Sequence, residues 1–272
     1  VAQWMLEKPG QVAYMGCVGN DQYGQQLKEC ATADGVRVHY MEDESTPTGT
    51  CAALIHGGER ALVANLAAAN NFKESHLDTP KSKEIVAAAQ YYYSAGFFLT
   101  VSTESLVRVA EEMVAKNGVV CVNLSAPFIV DFFTDNLNKA IEYADFLFGN
   151  ESEAAAFAKK NGKDENDLQA AALYAASLPK KGSRPRTVVF TQGSQNTLVA
   201  CEGKVTVYPV DPLPKEQLVD TNGAGDAFVG GFLSQLVQNK SMDDCVKAGH
   251  WAARQIIQTS GTTLSKTCDY QG

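Results

Sequence analysis

The alternation of short apolar runs with amphipathic segments is the feature that most limits how this chain can fold. The apolar runs are rich in β-branched and aromatic residues, as in "QVAYMGCVG", "QYYYSAGFF", "VVCVNLS", "DFLFG" and "TVVFTQG". The segments between them repeat apolar residues at helical spacing, which predicts helices connecting parallel strands. We therefore expect an α/β fold with a doubly wound, mostly parallel central sheet flanked by helices and with ligand sites at the strands' carboxyl ends.

Two segments depart from this alternation and predict β-hairpins. "TGTCAALIHGGERALVANL" contains two extended runs around a Gly-Gly turn, and "NTLVACEGKVTVYPV" repeats the arrangement around Glu202 and Gly203. We expect the first hairpin to belong to a small β lid within about residues 36–66. Because the chain contains no linker, repeat or low-complexity tract, we expect residues 1–272 to form a single domain.

Charge and cysteine usage exclude several classes of protein. The formal net charge is −8, and no basic stripe is present that could neutralise the phosphates of a nucleic acid. No apolar run approaches the roughly 20 residues that a membrane-spanning helix needs. The 7 cysteines are scattered without a CxxC pair, which is typical of a reducing compartment. We expect a monomer in the cytoplasm or nucleus that binds neither nucleic acid nor membrane.

The stretch "DTNGAGDAFVGGF", residues 220–232, is the strongest indication of a binding site. Apolar residues at helical spacing from Phe228 to Val237 predict a helix, with its polar side at Ser234, Gln235 and Gln238. The preceding glycines therefore lie at the helix N-terminus. Unpaired backbone amides and the helix dipole attract anions at that position, so the sequence predicts an anion site.

Asp226 is the unusual member of this loop, because it places a negative charge beside the predicted anion site. As an ordinary residue of the first helical turn it would stabilise the helix by about 0.3–1 kcal/mol. A dinucleotide-binding turn needs glycine where Phe228 stands, and the absence of a lysine in the loop excludes a P-loop. In phosphoryl transfer, by contrast, Asp226 could accept the proton of an attacking hydroxyl while the amides hold the phosphate. Asp220 and Asn222 would then orient the loop.

The same stretch resembles the second signature of the ribokinase-like, or phosphofructokinase-B-type, sugar and nucleoside kinases, and "GCVGNDQYG" matches the first. Within that family, "PTGTCAALI", "ERALVANLAAAN", "AGFFLTVS", "NLSAPF", "FGNESEA" and "GHWAARQIIQTSG" are similar, in order, to the adenosine kinase branch. The resemblance runs from the first residue to about Thr263. It implies a ribokinase-like fold and transfer of the γ-phosphate of ATP to the 5′-hydroxyl of adenosine, with Mg²⁺.

The resemblance also assigns roles to individual residues. The catalytic group consists of the base, the anion hole and an arginine that steadies the phosphates: Asp226, Gly223, Ala224, Gly225 and Arg60. Contacts to the nucleoside are implied for Asn222, Leu62, Ala64, Leu66, Phe97 and Phe128, with Cys51 nearby on the lid. Contacts to ATP are implied for Asn150, Glu153, Thr191, Gln192, Gly193 and His250. Among these, Asn150 and Glu153 would organise Mg²⁺ through water.

Structural roles stay open for several of these residues. The Asn150-x-x-Glu153 pattern also predicts a capping box at a helix N-terminus, and the two roles are compatible. Solvated or packing roles are the alternatives for four others: Arg60, Phe97, Phe128 and His250.

The chain begins part-way into the family's pattern. The family opens with a strand whose aspartate holds the ribose hydroxyls, followed by a Gly-Gly element, and "VAQWML" corresponds to the helix after them. We therefore expect these 272 residues to bind ATP-like ligands weakly and to phosphorylate adenosine poorly or not at all.

Two other functions compete with nucleoside phosphorylation. A ribokinase or fructokinase would need hydroxyl partners for its sugar, whereas Phe97, Phe128 and Leu62 are apolar. A non-catalytic nucleotide-binding protein would have no use for Asp226 together with the glycines and Arg60.

Overall fold

The computed structural model describes the backbone of residues 1–56 and 59–272, and the side chains outside residues 55–61. The chain divides into two compact units. The terminal unit comprises Val1–Phe72 and Pro212–Gly272, and the central unit comprises Lys73–Asp211. That the whole chain forms a single domain stays a prediction.

The first part of the terminal unit contains two small sheets. Its elements are α1 (Ala2–Leu6), β1 (Ala13–Gly19), α2 (Gln22–Ala33), β2 (Arg37–Asp43), β3 (Thr50–His56), β4 (Glu59–Asn65) and a 3₁₀ helix (Ala67–Asn71). Strands β1 and β2 pair in parallel, while β3 and β4 form the antiparallel hairpin expected within residues 36–66. Although "QVAYMGCVG" is an apolar run, only the second half of β1 is buried, and Tyr14 in its first half is 55% exposed.

The central unit contains the α/β sheet that the sequence predicted. Its strands are β5 (Tyr91–Ala95), β6 (Val119–Asn123), β7 (Phe146–Asn150), β8 (Thr187–Gln192), β9 (Gln195–Cys201) and β10 (Lys204–Tyr208). They lie in the order β10-β9-β8-β7-β6-β5, and pairing is parallel from β5 to β8. The second hairpin, β9 and β10, extends this sheet as an antiparallel edge.

Helices of the central unit connect these strands. They are α3 (Pro80–Ala88), α4 (Thr103–Ala115), α5 (Pro127–Phe132), α6 (Thr134–Ile141), α7 (Glu151–Lys160) and α8 (Leu168–Ser177), with 3₁₀ helices at Glu74–Asp78 and Gly96–Thr100. Helix α4 shows how the sequence specifies them. The Ser102 hydroxyl accepts a hydrogen bond from the Ser105 amide at the N-terminus, and the apolar face of Leu106, Ala110 and Met113 is fully buried.

The strand expected to run through Phe98 ends at Ala95 instead. Gly96 lies so close to the neighbouring chain that a Cβ atom would stand 2.6 and 2.7 Å from the carbonyl oxygens of Asn123 and Leu124. The backbone turns here into the 3₁₀ helix, which places Phe97 at the carboxyl end of β5.

The chain closes with α9 (Ala224–Leu236) and α10 (Met242–Ile257), which belong to the terminal unit. The expected polar side of α9 was wrong, because Ser234 is 0% and Gln235 6% exposed. Helix α1 packs against α9, and the Ser234 hydroxyl donates to the Gly231 carbonyl at 2.7 Å while lying 3.7 Å from the Met5 sulfur. Within the described residues, no helix has both the length and the apolar character needed to cross a bilayer.

Candidate active site

The N-terminus of α9 depends on the backbone conformation of Gly223. This residue has φ 75° and ψ 2°, in the left-handed region that side chains disfavour. A Cβ atom at Gly223 would also stand 2.7 Å from the Cγ2 atom of Thr262. Both the dihedral angle and the close approach therefore require glycine at this position.

The loop before Gly223 is tied to the segment that follows α10. The amides of Val219 and Asp220 donate to the Ile257 carbonyl at 2.9 and 3.3 Å. The Asp220 carboxylate accepts hydrogen bonds from the amides of Asn222 at 2.8 Å and Gly261 at 3.3 Å. Asp220 thus orients the loop, as the sequence predicted. Asn222 contributes its amide to this arrangement, while its half-buried side chain makes no hydrogen bond to any described residue.

Backbone amides at the start of α9 are open to a ligand. The Ala224 amide donates to the Thr221 carbonyl at 3.3 Å, but those of Gly223, Gly225 and Asp226 have no partner among the described residues. A Cβ atom at Gly225 would meet nothing within 4 Å, so space is free beside these amides. The predicted anion-hole residues therefore lie together, with Ala224 the member whose amide is already engaged.

Asp226 occupies the first turn of α9, next to the free amides. It is exposed and accepts no hydrogen bond from the described residues. Although solvent reaches it, nearby protein atoms displace part of the surrounding water, and this desolvation raises the pKa of its carboxyl group. A raised pKa makes the ionised carboxylate a stronger base than an ordinary aspartate.

The β3–β4 hairpin presents an apolar face that includes three of the predicted nucleoside contacts. Leu62 and Ala64 alternate along β4 and share one face with Cys51, which pairs directly with Ala64. Leu62 is 52% exposed, and Leu66, which is 46% exposed, lies just beyond the end of β4. The side chain of Arg60, predicted to contact phosphates, lies outside the described residues.

His250 lies on α10 and is half-buried. Its ring centroid is 5.6 Å from that of Phe228 on α9, with an interplanar angle of 48°. The ring thus packs between the two closing helices, and its proposed contact with ATP stays a prediction.

Phe97 and Phe128, in the central unit, form an exposed aromatic pair at the carboxyl ends of β5 and β6. They are 51% and 44% exposed, so neither is a core residue. Their ring centroids are 6.0 Å apart with an interplanar angle of 43°. A purine between two parallel rings needs them about 7–8 Å apart, twice the optimal carbon–carbon separation. The rings would therefore have to separate and rotate to enclose a base.

A second group of predicted residues lies where β7 and β8 end. Asn150 pairs with Thr191 across these strands, which brings Gln192 and Gly193 to the same edge of the sheet. Gly193 has φ 55°, and its Cβ position would lie 3.9 Å from the Glu151 carboxylate. The sequence-predicted nucleotide contacts of the central unit are thus neighbours.

The capping box predicted at Asn150 is confirmed. The Asn150 Oδ1 atom accepts from the Glu153 amide at 2.9 Å and from the Ser152 hydroxyl at 2.7 Å. Glu153 is 5% exposed, and its carboxylate accepts from the Asn150 amide at 2.9 Å and from Nδ2 at 2.8 Å. Because both Glu153 oxygens are engaged, the pair fits a metal ion only through water ligands. The described residues contain no group of three or more His, Cys, Asp or Glu that could hold a metal.

Sequence reasoning missed two carboxylates that organise loops of the terminal unit. Asp21 accepts from the Gly24 amide at 2.8 Å, and from the amide and hydroxyl of Thr48 at 2.8 and 2.7 Å. Asp43 accepts from the Asn71 side chain at 2.7 Å as well as from its own loop. The available signals were different for the two: Asp21 stands directly before the helix α2 as its N-cap, and Asp43 ends β2 just before Ser45 and Thr46.

The sequence profile of the pfkB family of carbohydrate kinases matches residues 1–268. The chain belongs to this family. Adenosine kinase 2 of Arabidopsis thaliana is 54% identical to it over 271 residues, covering 99% of this chain and 79% of that protein.

Solved structures of adenosine kinases share its fold. Anopheles gambiae adenosine kinase, in complex with P1,P4-di(adenosine-5) tetraphosphate, is 48% identical with a TM-score of 0.92, covering 96% of this chain and 77% of that one. Adenosine kinase from Schistosoma mansoni, in complex with 2-fluoroadenosine, is 33% identical with a TM-score of 0.94, covering 97% and 78%. The predicted family and fold class are therefore confirmed.

Alanine substitution at the two glycines of the α9 N-terminus should have opposite effects on stability. Gly223→Ala forces a side chain into the left-handed region and against Thr262, which we expect to lower the free energy of unfolding by about 1–3 kcal/mol. Gly225→Ala meets open space in a helical turn and should raise it by roughly 0.4–1 kcal/mol. Urea unfolding of both variants measures the difference, and equal losses at both positions would contradict this account of the loop.

Proposed function

We propose that this chain phosphorylates the 5′-hydroxyl of adenosine with ATP as the phosphoryl donor. The observation that carries the proposal is Asp226 beside the unpartnered amides of Gly223 and Gly225, a base next to an anion site. Membership of a kinase family supports phosphoryl transfer, and the relatives named as adenosine kinases support adenosine as the acceptor.

In this proposal the first turn of α9 performs the transfer. The free amides of Gly223 and Gly225 hold the phosphoryl group and stabilise the negative charge that develops on it. The Asp226 carboxylate accepts the proton that the attacking hydroxyl loses. Ala224 contributes by fixing the turn, because its amide is bonded to Thr221. The resemblance assigns Arg60 to the phosphates.

The nucleoside contacts are proposed for apolar and aromatic side chains. Leu62, Ala64 and Leu66 offer an exposed apolar surface, and Asn222 has a side chain without a partner in the described chain. Phe97 and Phe128 offer exposed ring faces for stacking on a purine. Cys51 lies on the same face as Ala64 and needs no chemical role. A sugar kinase, the alternative, would need hydrogen-bonding partners for hydroxyl groups.

We assign the nucleotide contacts of the central unit to Thr191, Gln192 and Gly193, which lie at the carboxyl end of β8. His250 of the terminal unit is proposed as a further contact. Asn150 and Glu153 would hold water molecules of a bound Mg²⁺, which usually keeps several of its waters. When bound, Mg²⁺ supplies positive charge that offsets the charge of the phosphates.

Adenosine should outcompete sugars as the acceptor. With labelled ATP and equal concentrations of adenosine, ribose and fructose, we expect label in AMP and not in a sugar phosphate, because the exposed partners are aromatic. Product separation by chromatography measures the ratio. Label mainly in a sugar phosphate would establish the sugar-kinase alternative.

A competition assay reads relative rates, so it does not depend on fast turnover. If no acceptor is phosphorylated, thermal stabilisation by adenosine but not by ribose still tests the substrate class.

Removing the Asp226 carboxylate should abolish turnover without weakening ATP binding. A general base contributes about 10²–10⁴-fold, so Asp226→Asn should lower kcat by that factor while the dissociation constant of ATP stays within about twofold. Calorimetric titration and a coupled kinase assay measure the two quantities. Asp135→Asn, in the first turn of α6, is the matched control and should leave kcat unchanged.

Asp226→Asn also separates catalysis from helix stabilisation. If Asp226 served the helix dipole alone, its loss would lower the free energy of unfolding by about 0.3–1 kcal/mol. Because desolvation disfavours its charged form, we expect no such loss at neutral pH. Undiminished turnover in this variant would refute the assignment of the base.

The raised pKa of Asp226 should appear in the pH dependence of turnover. Only the ionised carboxylate accepts a proton, so kcat/KM should be constant at neutral pH and fall as pH drops through the pKa of Asp226. That fall should occur at a higher pH than the value of about 3.9 expected for an ordinary aspartate. A fall in kcat/KM at or below that pH, measured where the protein stays folded, would contradict the proposed environment of the base.

A further inference from the structure

Among the described residues, the β3–β4 hairpin has few contacts with other elements that could fix its orientation. Side chains on its two faces are exposed, with Leu62 at 52% on one face and Val63 at 61% on the other. A two-stranded hairpin is only marginally stable by itself. Its orientation must therefore be set where the chain enters and leaves it, which we call the hairpin root, residues 43–49 and 66–71.

Asp43 organises the entering side of the hairpin root. Its Oδ1 atom accepts hydrogen bonds from the Ser45 amide at 2.8 Å, the Ser45 hydroxyl at 2.8 Å and the Thr46 amide at 2.9 Å. These bonds lower the pKa of the Asp43 carboxyl group well below its usual range, so the group is ionised at neutral pH. Its second oxygen is left for a donor from the leaving side.

Asn71 is that donor and joins the two sides of the root. Its Nδ2 atom donates to Asp43 Oδ2 at 2.7 Å and to the Thr46 hydroxyl at 2.9 Å. The backbone crosses at the same place, since the Ala68 amide donates to the Pro47 carbonyl at 3.0 Å. The root is thus closed by one side-chain amide that bridges to a carboxylate.

Asp21 fastens the entering side to the rest of the terminal unit. Its carboxylate caps α2 through the Gly24 amide and also accepts from the amide and hydroxyl of Thr48. The Thr48 hydroxyl in turn accepts from the Gly19 amide at the end of β1, at 3.0 Å. The entering side is anchored to β1 and α2. The leaving side is held by Asn71, by the Ala68 bond and by packing of the 3₁₀ helix Ala67–Asn71 against β1 and β2.

We propose that Asn71 and Asp43 are positioning residues that hold the hairpin, and with it the apolar face of Leu62 and Ala64, in the orientation that binds the nucleoside. The expected change in the KM for adenosine rests on the proposed function, whereas the expected change in hydrogen exchange of the hairpin does not. When the bridge is lost, the hairpin spends less time in the binding orientation. The apparent affinity for nucleoside falls in proportion to the time that the hairpin spends in the binding orientation, while the bound complex reacts as before.

The test uses substitutions at two adjacent asparagines of the same 3₁₀ helix. Asn71→Ala removes the bridge, and Asn71→Asp keeps its shape but turns a like charge toward Asp43. Asn70→Ala and Asn70→Asp are the matched controls, because the Asn70 side chain is exposed and has no hydrogen bond within the described chain. Adenosine KM, kcat and backbone hydrogen exchange are measured for all four.

We expect Asn71→Ala to raise the KM for adenosine by about tenfold, the loss typical of a hydrogen bond to a charged group, with kcat within about twofold. Asn71→Asp should raise it further, and the Asn70 variants should match the unsubstituted chain. Amides of β3 and β4 should exchange faster in the Asn71 variants, while those of β1 and β2 keep their rates.

Several results would overturn the proposal. These are unchanged hairpin exchange in the Asn71 variants, a fall in kcat at constant KM, or faster exchange throughout the terminal unit, which would indicate a merely structural role. If the unsubstituted chain phosphorylates no adenosine, the proposed function fails. Hydrogen exchange in the hairpin then still decides whether Asn71 holds the root.

Discussion

The left-handed backbone of Gly223 is the constraint on which the candidate site depends. It lets α9 begin abruptly against Thr262, so that the amides of Gly223, Gly225 and Asp226 have no partner among the described residues. Most helices in this chain begin differently: at α4, α7 and α10 a side chain of Ser or Asn accepts a hydrogen bond from an amide of the first turn. At α9 no side chain does so. The start of α9 thus leaves backbone donors that α4, α7 and α10 engage, and it differs from α1, α5 and α6, which also lack a side-chain cap, in beginning at a left-handed glycine.

Three aspartates of the terminal unit differ in the same respect, namely whether the protein itself donates hydrogen bonds to them. Asp21 and Asp43 each accept several hydrogen bonds, which lower their pKa and commit both carboxylates to holding loops. Asp226 accepts none from the described residues, and desolvation moves its pKa in the opposite direction. Identical side chains therefore acquire opposite properties from their surroundings. A carboxylate without donors is the one that remains available to take a proton.

Local signals in the sequence predicted the elements that local chemistry controls. The Asn150–Glu153 capping box, the glycines before α9 and the hairpin turn at Glu202 and Gly203 follow from a few adjacent residues. What sequence reasoning missed depends on distant contacts. Ser234 and Gln235 are buried on α9, against which α1 packs, and the carbonyls of Asn123 and Leu124 crowd Gly96, so that β5 ends early. Neither neighbour could be identified from periodicity, because each is brought close only by packing.

The aromatic pair shows why a family's fold does not by itself decide the acceptor. The pfkB family is named for carbohydrates, and a shared fold supports many substrates. Phe97 and Phe128 offer no hydrogen bond to a hydroxyl, but their rings contact each other too closely to admit a base between them. Stacking of a purine between them must therefore contribute more favourable free energy than separation of the two rings costs. If the pair binds the acceptor as proposed, that difference would favour a flat aromatic base over a sugar, which cannot stack in this way, and ring separation would be part of recognition.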